Sequence, residues 1–400
     1  MKIKTLLFPF LILLTLVVSC TNRPGQEDYL RKVLSELEKI ESASYNITHM
    51  SIKAYETEPD YVEKYFIMEF DHPADSTIGA SYIELGEENG LPLLNFGYDG
   101  NIRVLTYHEH QGLIIDDFTH RPLPFRPVNP PFFNHVKNII RYMLSTDDHI
   151  RIEMEEREDH LYVKLTIDEE KQVLFFGKAH QVENPYTDPL SIYELWISKE
   201  NDLPYDLRIE MTNYTVRHTC SNVKINQLKA EEMDLYAYFP DGYEIRDYGQ
   251  KQHTVPDING LIGNRAPDWI LKEWNNQPLS LKDFTTKVLL INFTGIGCGP
   301  CLVSIPFLNG LKDHFQEDEL SLVSIETWSR KTNSLKSYAE KYAINYPFVA
   351  DEEGVDKNYT VNAVPAFFVL DQDRVIRKVF TGYKKGTTDQ EILEAIHALL

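Results

Sequence analysis

The stretch Lys287-Val-Leu-Leu-Ile-Asn-Phe-Thr-Gly-Ile-Gly-Cys298-Gly-Pro-Cys301 narrows the folds open to this chain more than any other. Its apolar run is long enough for a strand buried on both faces, breaks at Gly295 and Gly297, and delivers two cysteines separated by two residues. Val303, Ile305, Phe307, Leu308 and Leu311 follow at roughly helical spacing, which predicts a helix from Pro300 to Phe315 with Cys298 at or just before its N-terminus. On that reading Cys298 is exposed and Cys301, in the first turn, is covered. Helix N-terminal amides and the positive end of the dipole stabilise negative sulfur. Only a thiolate attacks a disulfide, so Cys298 is the candidate nucleophile and Cys301 the group that resolves the mixed disulfide. Half a zinc site is the competing reading. Zinc wants two further ligands, usually a second paired set, and Cys20 and Cys220 are solitary, so no metal and no cofactor beyond the Cys298–Cys301 pair is expected.

The 400 residues leave room for two or three domains, and 42% apolar residues supply a large core. A formal net charge of −21 excludes a nucleic-acid partner, which would need basic patches to neutralise phosphate. The bland consequence of that acidity is solubility.

The N-terminus bears on the address. Met1-Lys-Ile-Lys is positively charged, Leu6 to Val18 is apolar but too short for a stable span, and Val17-Val18-Ser19-Cys20 ends it. These residues resemble a bacterial lipoprotein signal with its lipobox. The resemblance implies that residues 1–19 are a signal peptide, that Cys20 is lipidated, and that the mature chain is anchored to a bacterial membrane, facing the periplasm or the cell surface. Thr21 is not the aspartate that retains many lipoproteins at the inner membrane, which favours the outer one. Disulfides form and persist in such compartments.

Residues 20–28 read as a polar tether, 29–249 as a β-rich N-terminal domain, 250–264 as a Pro- and Gly-containing linker, and 265–400 as a second domain. An amphipathic helix is expected to about Glu41, followed by strands such as Tyr65 to Phe70, Leu161 to Ile167 and Ile192 to Ile197 that alternate apolar and polar residues. Turn signals at Asp99-Gly-Asn101 and Lys199 to Asp202 suit antiparallel pairing. The Pro-rich segment from Arg121 to Pro131 leads into a helix from Phe132 to Leu144, and the two helices are the available cover for the sheet's apolar face. This N-terminal domain is therefore α+β, mainly antiparallel β. Helix followed by meander, with Tyr238-Phe-Pro-Asp-Gly-Tyr, weakly resembles the half-barrel of the LolA-type lipoprotein-carrier superfamily. That resemblance implies a lipid or partner protein held between sheet and lid; a packed core without a cavity is the expectation preferred from the residues themselves.

In the second domain strands alternate with helices, which predicts an α/β fold. Val364-Pro365 stands just before the apolar strand Phe367 to Leu370, where proline belongs only at a special bond, so a cis peptide is expected. Cys298-Gly299-Pro300-Cys301 after a buried strand, with Val364-Pro365 downstream, resembles the thioredoxin fold, and Ala266-Pro-Asp-Trp269 resembles the opening of the TlpA/ResA-like redoxin branch. The resemblance implies a membrane-associated thiol-disulfide oxidoreductase that exchanges with protein thiols and disulfides, fed by an upstream electron donor. It assigns Cys298 as attacking thiolate, Cys301 as resolver and Pro365 as backbone support for an incoming polypeptide. Asn292 stands where cytoplasmic thioredoxins carry a buried aspartate. The chain departs from the branch at Gly297, where a tryptophan is usual, and at Ser304, where a glutamate is usual. The first change is expected to open the approach to sulfur; the second removes a titrating carboxylate. Ser304 is expected instead to hydrogen-bond a thiolate. A peroxiredoxin would place Thr or Ser three residues before its cysteine and Pro seven before, and Gly295 and Ile291 occupy those positions.

Overall fold

A computed structural model describes residues 24–53, 58–88, 90–121, 127–168, 172–182, 191–211, 214–249 and 258–400. The signal segment, Cys20, Thr21 and residues 250–257 of the expected linker lie outside the described residues.

Twelve strands build one sheet in the N-terminal part. Six follow one another in antiparallel order from Ser42–Lys53 to Gly112–Asp116, and five more run from Ile150–Glu156 to Tyr214–Ile225. The two series are joined by pairing of the first strand with Tyr214–Ile225, which sets Ala43 opposite Ile225. Glu244–Asp247 adds a parallel strand at the outer edge. The alternation read from sequence is visible in Ser191–Ser198, where buried and half-buried residues strictly alternate. Asp99 makes its turn by accepting the Asn101 and Ile102 N–H groups at 2.7 and 2.8 Å.

Helices Pro24–Leu37 and Phe132–Ser145 cover one face, burying Leu30, Val33, Leu37, Val136, Ile139 and Ile140 against Tyr45, Leu165 and Leu195. The second helix is pinned by a buried carboxylate. Glu69, on the strand Tyr61–Asp71, accepts Tyr45 Oη at 2.8 Å and the Phe133 and Asn134 N–H groups at 3.1 and 2.7 Å. A negative group at a helix N-terminus satisfies amides that have no partner within the helix. On the opposite face Leu235 packs among Met68, Ile83, Leu94 and Val104. Gly97 makes room for it, since a Cβ there would fall 2.4 Å from Leu235 Cδ2.

The preferred expectation of a void-free core is corrected. A half-open pocket of about 610 Å³, with the exposed Tyr61 among its lining residues, lies between the sheet and the helix Phe132–Ser145. Glu84 lines it, and burial, then the neighbouring Glu63, push its carboxyl up to about 7. An acid whose pKa rises on folding contributes fully below its unfolded value of 4.5 and loses that contribution as pH climbs toward 7. Glu84→Gln is therefore expected to raise stability by roughly 1–2 kcal/mol at pH 8, discounted for partial exposure, and to be nearly neutral at pH 4. Urea unfolding at the two pH values measures the difference; equal effects would refute it.

The C-terminal part carries a separate seven-stranded sheet. Val288–Thr294 lies at its heart, parallel to Leu320–Glu326 on one side and antiparallel to Ala366–Leu370 on the other. All seven of its residues are buried, as the unbroken apolar run requires. Helices Gly299–Gly310, Thr332–Lys341 and Thr387–His397 pack on this sheet. The first is shorter than predicted. It includes Pro306, which has no N–H to donate, and passes into a 3-10 turn at Leu311–Asp313.

Candidate active site

The buried strand Val288–Thr294 ends where the chain must turn sharply, and Gly297 makes the turn with φ of +85°. A side chain is strained in that conformation, so glycine at 297 answers a backbone requirement. Cys298 follows as the N-cap of the helix Gly299–Gly310, with Pro300 in the first turn, where a missing N–H costs nothing. The Cys301 N–H donates to Cys298 Sγ at 3.3 Å, so one amide that the helix leaves without a partner points at the first sulfur. Cys298 and Cys301 are disulfide-bonded. The bond links two groups within one helical turn.

The expected exposure of Cys298 is corrected: it is 3% exposed, against 1% for Cys301. Its side chain turns back to cap its own helix and bond to Cys301, and the carbonyl oxygen of Val364 closes over it at 3.7 Å. Gly297 thus does not open the sulfur to solvent in the disulfide state. Val364–Pro365 is a cis peptide, and the Pro365 carbonyl accepts the Gly382 N–H at 2.7 Å. The structure brings Cys298, Gly299, Pro300, Cys301, Val364 and Pro365 into one constellation.

Asn292 is buried in the middle of the central strand, where its Nδ2 donates to Ser324 Oγ at 2.8 Å and its Oδ1 has no partner. Ser304 does not reach the sulfur. Its hydroxyl donates to the Cys301 carbonyl at 2.7 Å, one turn back along the helix, which is the common fate of a helical serine. Cys220 is a buried free thiol in the N-terminal sheet, and burial pushes its pKa well up, so it is held as a neutral small side chain. Among the described residues no group of three or more His, Cys, Asp or Glu side chains is placed to hold a metal ion.

Sequence reasoning missed Glu326 and read Trp328 only as a core or groove aromatic. Glu326 ends the neighbouring strand with its side chain fully buried. One carboxylate oxygen accepts the N–H groups of Ile296, Trp328 and Ser329 at 3.1, 2.9 and 2.9 Å, and the other accepts that of Arg330 at 2.7 Å. Four backbone donors from two loops therefore converge on one anion, joining the turn before Cys298 to the turn after Glu326. Trp328 lies over the first of these turns: a Cβ on Gly295 would fall 2.5 Å from its ring. An indole thus reaches the loop before the cysteines from an adjacent strand end, while position 297 itself is glycine. The only sequence signal was a carboxylate at the end of an apolar strand followed by polar residues.

The model of the AhpC/TSA family matches residues 262–379. Among characterised proteins, the thiol-disulfide oxidoreductase ResA of Geobacillus thermodenitrificans is 27% identical over 136 residues, which cover 34% of this chain and 78% of that protein. The thioredoxin-like protein YneN of Bacillus subtilis is 29% identical over 132 residues, covering 32% and 77%. Among solved structures, the thioredoxin domain of a thiol-disulfide oxidoreductase from Bacteroides vulgatus aligns with 20% identity and a TM-score of 0.30, covering 35% of this chain and 98% of that domain.

Proposed function

We propose, from the premise that residues 262–379 form a redoxin domain of the AhpC/TSA family with ResA-type thiol-disulfide oxidoreductases among its relatives, that this chain is a redox enzyme reducing disulfides of other proteins through Cys298 and Cys301. The observation that supports the assignment best is the Cys301 N–H aimed at Cys298 Sγ at a helix N-terminus. A sulfur so placed carries negative charge more readily than a free thiol.

In the dithiol form the Cys298 thiolate attacks one sulfur of the substrate disulfide. A bond forms between them, and the second substrate sulfur leaves as a thiolate. Cys301 gives up its proton and attacks Cys298 Sγ, which closes the internal disulfide and releases the first substrate sulfur. Two electrons have passed to the substrate, and an upstream thiol donor restores the dithiol. The Ser304 hydroxyl is committed to a backbone carbonyl, so proton removal from Cys301 falls to solvent or to the departing thiolate. Val364 and Pro365 border Cys298 and supply the backbone along which a substrate polypeptide would lie. The address belongs to the same proposal: Met1 to Cys20 has the pattern of a lipoprotein signal, so the enzyme acts outside the cytoplasm on a lipid tether.

Insulin reduction tests the reading. Full-length protein kept reduced by a low concentration of dithiothreitol is expected to precipitate the insulin B chain faster than dithiothreitol alone. A rate equal to the small thiol's would overturn the assignment.

A further inference from the structure

The cavity between the N-terminal sheet and the helix Phe132–Ser145 is lined mainly by rings, among them Tyr45, Tyr82, Phe96, Phe132, Phe175 and Tyr193. Its volume of about 610 Å³ falls within the range of sites that enclose small organic molecules. Most polar atoms around it are committed to protein partners. The hydroxyls of Tyr45, Tyr82 and Tyr193 donate to Glu69, to the Asn129 carbonyl and to the Val173 carbonyl at 2.8, 2.9 and 2.8 Å. His49 and His218 share a hydrogen bond of 2.8 Å, and the other nitrogen of His49 meets Tyr61 Oη at 3.2 Å.

His135 supplies a buried polar atom that is not so committed. It is 8% exposed, lines the cavity, and its Nε2 has no hydrogen-bond partner. Its ring sits between those of Phe175 and Tyr193, with centroids 6.3 Å from each. A buried ring nitrogen without a partner is costly unless something supplies one. The charge pattern narrows what that can be. Among the described lining residues the cation is Arg103, already bound to Asp116 at 3.0 Å and to the Pro127 carbonyl at 3.1 Å. Glu63 and Glu84 lie on the same wall and repel anions. Burial lowers the pKa of His135 to about 4 and of His218 to about 3, so neither supplies positive charge at neutral pH.

We propose that this cavity is a binding site for an uncharged, ring-bearing amphiphile whose one hydrogen-bonding group pairs with His135 Nε2 and whose rings stack among the tyrosines and phenylalanines. Aromatic walls favour offset and edge-on ring contacts over a flexible alkyl chain, which would lose more rotamer freedom on entry. The site is independent of the redox reading, since no atom of the Cys298 constellation takes part.

The probe is N-phenylnaphthylamine, uncharged and bearing one N–H, compared with its sulfonated counterpart anilinonaphthalene sulfonate. Both are titrated into the full chain, with each variant prepared identically so that detergent uptake is common to all. Wild type is expected to bind the uncharged dye saturably and at least about tenfold more tightly than the sulfonate. His135→Leu is expected to weaken the uncharged dye about fivefold to tenfold. Val216→Phe, which fills the cavity from the sheet side, is expected to weaken it more than tenfold. Equal affinity for the two dyes in wild type overturns the proposal without any variant. So does wild-type affinity in both variants, or displacement of the dye by a straight-chain alcohol as readily as by a ring-bearing one.

Discussion

Cys298→Ala is expected to lower insulin reduction by about 10³-fold or more, to the level of the small-thiol background, whereas Cys301→Ser retains the first attack and stalls after it. The asymmetry follows from the N-cap. Cys298 carries the sulfur that receives the Cys301 N–H at 3.3 Å, while Cys301 supplies that amide from within the first helical turn. With serine at 301 the mixed disulfide has no internal thiolate to release it. One equivalent of an aromatic disulfide reagent should therefore label Cys301→Ser on Cys298 and persist, where wild type releases two equivalents of the coloured thiol and ends as its own disulfide. Intact mass spectrometry after quenching at low pH distinguishes the two. Should Cys301→Ser turn over insulin as fast as wild type, or Cys298→Ala form the stable adduct instead, the assignment of nucleophile and resolver would be wrong. Burial of Cys298 in the disulfide state adds a kinetic expectation. A bulky monothiol should reduce the oxidised protein more slowly than dithiothreitol does, because the sulfur it must reach lies under the Val364 carbonyl.

The parts of this site legible in the sequence are those written in neighbouring residues. An unbroken apolar run announces a strand buried on both faces, two glycines announce its end, and Cys-Gly-Pro-Cys announces a capped helix; in each case the physics acts over a few residues. Pro365 was legible for the same reason, since a proline at the foot of a central strand violates the ladder unless the bond is unusual. What escaped depends on partners far apart in sequence. Nothing near Glu326 states that the Ile296 N–H, thirty residues earlier, will point at it. Trp328 lacks any local sign that its ring will cross Gly295. In the N-terminal sheet, Leu91–Tyr98 was unreadable because Pro92 and Gly97 both argue against a strand, yet the strand persists with Gly97 serving as the notch for Leu235. The exposure of Cys298 was misjudged because motif spacing places the Cα, whereas the rotamer is chosen by the helix cap.

Glu326 carries the second large effect, on stability and on the geometry of the redox loop together. Its carboxylate is an acceptor with no donor of its own, which suits four converging N–H groups; neutral glutamine keeps one oxygen and turns an NH2 toward donors it cannot satisfy. Buried donors left without acceptors cost roughly 1–3 kcal/mol each, and bonds to an ionised group are stronger than average. The loops can relax toward water at Trp328, which is 51% exposed, so the full sum is not expected. Glu326→Gln should then destabilise the protein by roughly 2–4 kcal/mol and Glu326→Ala by at least as much. The loss should appear in a thermal melt followed by tryptophan fluorescence, as both an earlier transition and altered Trp328 emission before it. Stability alone would make Glu326 a structural residue. Its link through Ile296 to the turn before Cys298 predicts more: below the melting transition, the reduced variant should alkylate at Cys298 with a raised apparent pKa, because the amide cap is held less firmly. A variant that melts early yet keeps the wild-type alkylation profile would assign Glu326 to folding only. One that keeps both would remove it from the site altogether.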